Sequence, residues 1–116
     1  MQIDKELLKG STTMLVLTVL QRRQMYGYEI IKELQAQSSG LLALAEGTLY
    51  PILHTMESQG YLSADWQRSP QSRRRKYYSL TDTGRTLLAS RRQEWDAFQR
   101  AVSEVLHHNE RAEVTS

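Results

Sequence analysis

Five basic side chains stand within nine consecutive positions of this sequence, and no acidic residue lies among them. They are Arg68, Arg73, Arg74, Arg75 and Lys76. The whole chain carries 15 lysine and arginine residues against 13 aspartate and glutamate residues, so its net charge of +2 comes from this segment. Concentrated positive charge followed by two tyrosines is typical of a surface that binds the phosphates of nucleic acid. A solvated charged loop is the alternative for the segment taken alone.

The sequence offers little for catalysis or metal binding. It has no cysteine, which excludes a thiol nucleophile, a zinc–thiolate cluster and a disulfide framework. His107 and His108 are adjacent and would diverge around a helix, so they make a poor metal pair. No glycine-rich phosphate loop or serine-centred motif is present. We therefore expect no enzymatic activity, no cofactor and no metal site.

The elements that must position the basic segment begin with three helices. Asp4 is expected to cap a first helix that runs to about Arg22 and is apolar on nearly every side in its second half. A second helix follows the turn at residues 26–28 and ends at the glycine-containing residues 38–40. A third helix ends at Gly60 and has an apolar stripe at helical spacing. The stripe consists of Leu49, Ile52, Leu53 and Met56.

Pro51 bears on where the third helix begins. If Gly47 or Thr48 is the cap, the proline falls where no intrahelical hydrogen-bond donor is needed. If the helix begins earlier, we expect a local kink at the proline.

A β-hairpin is expected next, because apolar and polar residues alternate with a period of two on both sides of Pro70. The turn falls at residues 68–72, so the basic residues lie at or just after the hairpin tip. Tyr77 and Tyr78 point to opposite faces of the second strand, so at most one of them can meet DNA. Trp66 is expected to pack on its strand.

A long final helix is expected from a cap at Thr81 and Asp82. At ~1.5 Å per residue it would span about 42 Å to residue 108, too long to bury against a body of three helices. Its apolar residues repeat every seven positions and are interrupted by Arg91. They are Leu88, Trp95 and Val102, with Phe98 and Val105 at the second position of the repeat. This seam predicts a partner, most economically the same helix of a second subunit.

Three helices followed by a hairpin is the order of a winged helix-turn-helix, so the predicted fold is mainly α with a small β-hairpin. We expect a DNA-binding domain at residues 1–80, a dimerisation helix at 81–109 and a flexible tail at 110–116. No apolar run approaches the ~20 residues of a membrane span, and we expect a cytoplasmic protein.

The third helix would read the major groove with the side opposite its apolar stripe. That side lacks arginine, so contacts through threonine methyl, tyrosine hydroxyl and histidine groups are expected from Thr48, Tyr50 and His54. An ordinary amphipathic surface helix is the alternative.

Four motifs in order resemble the PadR family of bacterial transcriptional regulators. They are Tyr-Gly-Tyr-Glu-Ile at 26–30, Glu-Gly-Thr-Leu-Tyr-Pro-Ile-Leu at 46–53, Gly-Tyr-Leu at 60–62, and Arg-Arg-Lys-Tyr-Tyr-Ser-Leu-Thr-Asp-Thr-Gly at 74–84. The likeness covers nearly the whole chain, and the single C-terminal helix resembles the short members of the family.

The resemblance implies a homodimeric winged-helix protein, usually a repressor, whose first and last helices build the dimer interface. It implies Thr48, Tyr50 and His54 on the recognition helix and Tyr28 and Lys32 on the supporting helix near the DNA backbone. It also implies a wing made of Arg73, Arg74, Arg75 and Lys76. Residues 70–72, Pro-Gln-Ser, depart from the glycine that often precedes the wing arginines, which puts in question which arginine enters a groove.

From these observations we expect a sequence-specific repressor that binds a pseudo-palindromic operator in double-stranded DNA. Trp95 and Phe98 could form an effector pocket at the dimer interface, with a small hydrophobic or aromatic ligand stacked between subunits. Plain interface packing is the alternative for Trp95. Two alternatives remain for the whole protein: a protein-interaction module without DNA binding, and a binder of double-stranded RNA.

Overall fold

The computed structural model describes residues 3–68, 70–71 and 73–115. It contains five helices and three strands over these residues. In chain order they are α1 (Lys5–Lys9), α2 (Thr12–Leu20), β1 (Met25–Tyr26), α3 (Gly27–Gln37), α4 (Glu46–Ser58), β2 (Leu62–Arg68), β3 (Arg74–Leu80) and α5 (Asp82–Thr115). The strands form one antiparallel sheet in the order β1-β3-β2. The predicted fold class, a mainly helical winged helix with a long C-terminal helix, is confirmed.

The N-terminal segment corrects one prediction, because two helices replace the single helix expected from Asp4 to Arg22. The helix is interrupted at Gly10 and Ser11, because glycine has a low helix propensity and serine favours helix ends. The predicted cap is confirmed, since the Asp4 carboxylate accepts a hydrogen bond from the Glu6 amide at 2.8 Å. Helix α2 is then short enough to be buried against the body of one chain.

The core lies where α2, α3 and α4 meet the sheet. Leu17, Ile30, Leu49 and Leu53 have no exposed surface in this cluster. The predicted stripe of the third helix is thus confirmed at Leu49 and Leu53, and at Met56, which is 3% exposed. Ile52 is only half-buried and packs at the edge of the core.

Helix α4 begins earlier than a cap at Gly47 or Thr48 would allow. Its N-cap is Ala45, so Pro51 lies inside the helix and cannot donate to the carbonyl of Gly47. The end at Gly60 is confirmed and has a fixed geometry. Gly60 has a φ of +84°, and the amide of Tyr61 reaches back to the carbonyl of Met56 at 2.9 Å.

The hairpin has the predicted strands, and its register runs from Leu62 opposite Leu80 to Arg68 opposite Arg74. Strand β1 was not predicted. It pairs Met25 with Tyr78 and Tyr26 with Tyr77, and a strand of two residues is too short to show an alternating pattern.

Helix α5 begins as predicted, because the Thr81 hydroxyl accepts a hydrogen bond from the Gly84 amide at 3.0 Å. It continues to Thr115, past residue 109 where the sequence analysis ended it, since glutamate, arginine and alanine are good helix formers. Ser116, the last residue of the expected tail, lies outside the described residues. No helix of the described ranges is both long and apolar enough to cross a membrane.

Candidate nucleic-acid interface

The expected reading residues of α4 are all exposed, but they do not share one narrow face. At about 100° per residue, Thr48 and Tyr50 lie on opposite flanks of the exposed side, and His54 lies between them. Leu49 and Leu53 fill the buried side. The helix therefore presents a broad polar surface on which His54 lies about 40° from Tyr50 and about 120° from Thr48 around the helix axis.

Tyr50 leans on the first turn of α3. A Cβ atom added to Gly27 would lie 2.7 Å from the Tyr50 hydroxyl oxygen, so the ring has room there because residue 27 is glycine. Partial burial raises the pKa of the Tyr50 hydroxyl, with a further contribution from the nearby Glu46 carboxylate. A tyrosine hydroxyl can both donate and accept a hydrogen bond. The glycine between two tyrosines was the sequence signal for this contact.

The wing is the hairpin formed by β2 and β3. Because side chains alternate along β3, the basic segment is divided between the two faces of this hairpin. Arg74 lies over the Trp66 ring, with its guanidinium carbon 5.5 Å from the ring centre. Arg75 lies on the other face, 4.2 Å from the centre of the Tyr26 ring. Both arrangements fit cation–π attraction, which holds a long side chain in one direction. Trp66 therefore packs on Arg74 and stays 56% exposed, outside the core.

The two tyrosines after the basic segment point to opposite faces of β3, as predicted. Tyr78 is buried in the core, whereas Tyr77 packs edge-to-face on Tyr26 with ring centres 5.5 Å apart. Tyr26 is also fixed through its amide, which donates to the Glu29 carboxylate at 3.2 Å. Tyr26, whose ring lies under Arg75, is thus held by Tyr77 through its ring and by Glu29 through its backbone amide.

Lys76 forms an ion pair within the protein. Its Nζ atom lies 2.8 Å from Oε1 of Glu57, near the end of α4. The hydrogen bond to Glu57 raises the pKa of Lys76, although burial acts in the opposite direction. Glu57 was not predicted from the sequence, because it belongs to no motif and stands 19 residues before its partner.

The supporting helix α3 carries Tyr28 and Lys32 side by side on the surface. The Lys32 Nζ atom lies 5.4 Å from the centre of the Tyr28 ring, and both residues are exposed. Arg23, which the sequence analysis did not select, lies beside them and pairs with Glu29 at 3.2 Å. Its signal was the basic pair at residues 22 and 23.

Three contacts thus connect the parts of the candidate interface in pairs. Gly27 and Tyr50 join α3 to α4, Glu57 and Lys76 join α4 to the wing, and Arg75 on Tyr26 joins the wing to the start of α3. Helix α4 and the wing therefore form one surface with a fixed relative position.

Trp95 and Phe98 are not part of this surface. They lie on α5 with ring centres 6.3 Å apart, and both are exposed. Within the described ranges, histidine and carboxylate side chains form no group of three that could hold a metal ion.

Comparison with known proteins assigns the chain and its fold to a family. The model of the transcriptional regulator PadR-like family matches residues 16–90, which contain α3, α4 and the whole wing. The chain belongs to the PadR-like family. The predicted family is thereby confirmed, and the protein is a DNA-binding regulator of transcription.

Solved structures of PadR-like and other transcriptional regulators agree with this assignment. A transcriptional regulator from Clostridium thermocellum superposes with a TM-score of 0.80 at 25% identity, covering 86% of this chain and 97% of that one. A PadR family regulator from Eggerthella lenta is 35% identical with a TM-score of 0.74, covering 87% and 82%. A PadR-like regulator from Bacillus cereus is 27% identical with a TM-score of 0.76, covering 88% and 97%.

Proposed function

We propose that the protein is a homodimeric repressor that binds a pseudo-palindromic operator in double-stranded DNA. The observation that carries the proposal is the joined surface of α4 and the wing, where an exposed polar helix lies beside arginines held in fixed directions. In this family fold, such a surface can meet the major groove and the adjacent backbone at once. Residues 1–80 would be the DNA-binding unit and 81–109 the dimerisation helix.

The exposed side chains divide by the part of DNA they would meet. Thr48, Tyr50 and His54 would contact base edges, through hydroxyl, methyl and imidazole groups. Tyr28 and Lys32 on α3 would contact phosphates beside the groove.

The wing would supply the largest electrostatic contribution to binding. Arg73, Arg74, Arg75 and Lys76 form its basic segment, and the cation–π contacts of Arg74 and Arg75 hold these two chains in extended directions. If three or four basic groups on each of two wings met phosphates, the logarithm of affinity would fall with the logarithm of salt concentration with a slope near about −6.

Dimerisation is supported by apolar side chains of α5 that the chain itself leaves exposed. They are Trp95, Phe98, Val102, Val105 and Leu106. The first four are spaced by three and four residues, which is typical of a helix that pairs with another helix, and Leu106 stands next to the last of them. A second copy would cover the stripe and set two α4 helices about one DNA turn apart, ~34–36 Å. Repression would follow from occupation of promoter DNA.

The proposal includes a small hydrophobic or aromatic effector that binds at Trp95 and Phe98. The two rings are tilted by 39° and would lie near their symmetry mates in a dimer. A flat ligand between them would change the angle between subunits and hence the spacing of the α4 helices. Trp95→Ala tests this by ultracentrifugation and operator binding with and without a planar aromatic compound. Loss of the dimer without any ligand effect would favour plain packing.

A gel-shift titration against DNA upstream of the protein's own coding region, repeated at several salt concentrations, tests the main proposal. Wild-type protein should bind as a dimer with the steep slope given above, and Arg74→Ala should flatten it. Arg92→Ala, an exposed arginine of α5, is the matched control and should leave the slope unchanged. A monomer that ignores every duplex at low salt would contradict the proposal, as would a preference for double-stranded RNA. The first result would favour a protein-interaction module.

A further inference from the structure

The ion pair between Glu57 and Lys76 lies where the two DNA-facing elements meet. Lys76 sits on β3 opposite Trp66, and Glu57 sits in the last turn of α4. Their charged atoms are 2.8 Å apart, and the two side chains are 30% and 33% exposed. Lys76 also lies 5.4 Å from the ring centre of Tyr78, which is buried beneath it. The ammonium group is therefore directed at α4.

The position of Glu57 is unfavourable unless Lys76 is present. The C-terminal end of a helix carries partial negative charge, and a carboxylate there is repelled by it. No basic residue of α4 stands in that last turn to compensate. A carboxylate beside a DNA-binding surface also repels phosphates. Lys76 offsets both effects, so the charges of Glu57 and Lys76 compensate each other within the protein.

The backbone around Glu57 is fixed, which makes the ion pair a geometric constraint. The Glu57 carbonyl accepts from the Gly60 amide at 3.0 Å in the turn that ends α4. A side chain anchored on that turn and bonded to β3 restricts the angle between α4 and the wing.

We propose that Glu57 and Lys76 are positioning residues that hold the recognition helix and the wing at the separation required by the operator. This inference rests on the proposed function and deepens it. Lys76, although it belongs to the basic segment, is assigned to the internal contact, and the phosphate contacts of the wing fall to the arginines. Each wing then offers one cation fewer than the sequence indicates.

Salt-dependent binding to operator and non-operator DNA separates the two roles of a basic residue. Arg74→Met and Lys76→Met are matched, because each replaces a β3 cation with the same uncharged chain on the same face. Arg74→Met should reduce the slope by about two for a dimer, at ~0.9 per lost phosphate contact. Lys76→Met should leave the slope unchanged and reduce the ratio of operator to non-operator affinity about ten-fold, the size of one lost base contact per site.

Glu57→Gln should reduce the ratio of operator to non-operator affinity by the same factor as Lys76→Met, although it removes a negative charge instead of a positive one. It should also tighten binding to non-operator DNA, because one carboxylate is gone and Lys76 is released. The exchanged pair Glu57→Lys with Lys76→Glu should restore the ratio in part. An ion pair with only a stabilising role would change thermal unfolding and leave the ratio unchanged, which would overturn the proposal. An equal fall in slope for Lys76→Met and Arg74→Met would also overturn it.

A double-mutant cycle on DNA-free protein distinguishes failure of this inference from failure of the proposed function. Glu57→Gln, Lys76→Met and their combination should show a coupling of about two- to five-fold in the unfolding equilibrium constant, as for partly exposed ion pairs. Absence of coupling would disprove the contact itself. If coupling is present but wild-type protein binds no duplex, the proposed function is wrong and the assignment of the pair to operator geometry falls with it.

Discussion

The winged-helix body and the outer part of α5 use apolar residues in opposite ways. In the body, Leu17, Leu49 and Leu53 have no exposed surface. On α5, every residue from 89 to 111 is exposed, and Phe98 is exposed to 63%. The molecule is accordingly 66 Å long but only 31 by 21 Å across. The body completes its core within one chain, whereas the outer part of α5 leaves large apolar side chains exposed.

A matched pair of leucines gives the largest test of this difference. Leu53→Ala should lower the free energy of unfolding by about 2–5 kcal/mol, because it opens a cavity in the core. Leu106→Ala removes the same atoms from a side chain that is 59% exposed and should act mainly on dimerisation. Chemical denaturation at several protein concentrations measures both. Equal, concentration-independent losses for the two variants would contradict the comparison.

The junction between the two regions gives the next effect. A Cβ atom on Gly84 would lie 2.2 Å from the backbone carbonyl oxygen of Tyr61, a contact that cannot relax by moving a side chain. Gly84→Ala should therefore cost about 1–3 kcal/mol of unfolding free energy, towards the upper end. Gly47→Ala is the control, since nothing lies within 4 Å of a Cβ there. It should stabilise α4 by about 0.5–1 kcal/mol. Equal effects of the two variants would show that α5 can shift away from the body.

A substitution at Gly27 tests whether the exposed surface of the body can be altered without disturbing its core. Gly27→Ala displaces the end of the Tyr50 ring, a flexible group, so we expect less than about 1 kcal/mol loss in stability. Operator binding should weaken by about 1–3 kcal/mol, as for one lost base contact. In a Tyr50→Ala background the same change should have no further effect on binding. Additive losses would show that the two residues act separately.

The smallest expected effect is on pH dependence and arises only in the body. Burial raises the pKa of Tyr50, and the hydrogen bond to Glu57 raises that of Lys76. A pKa raised by folding gives stability that is complete below the unfolded value, ~10 for both groups, and is lost as pH rises through the folded value. The melting temperature should fall above about pH 10, and less in the variant with Tyr50→Phe and Lys76→Met. An unchanged decline in that variant would assign the effect to other groups.

Much of the fold could be predicted because its signals are local. The stripe containing Leu49 and Leu53 follows helical spacing, and the strands on either side of Pro70 follow a period of two. The single N-terminal helix was wrong because α1 ends at Lys9 and α2 begins at Thr12, and the intervening Gly10 and Ser11 disfavour a continuous helix. Strand β1 could not be found because it depends on pairing with Tyr77 and Tyr78, far along the chain.

The candidate site was less predictable than the fold. The basic segment was evident from its local excess of positive charge. Thr48, Tyr50 and His54 were predicted from the helical pattern and from the resemblance to the PadR family. Neither could indicate that Arg75 would stack on Tyr26 or that Lys76 would bond to Glu57. Those contacts depend on strand register and side-chain direction, which change with a shift of one residue.

The amino-acid sequence by itself determined the order of elements, the apolar faces of the helices and the presence of an unpartnered seam on α5. These features follow from the periodic spacing of apolar residues, which is a local property and can be recognised in a short segment of the chain. Only the tertiary structure decided that Lys76 pairs with Glu57, because this ion pair exists only once α4 and β3 have packed together.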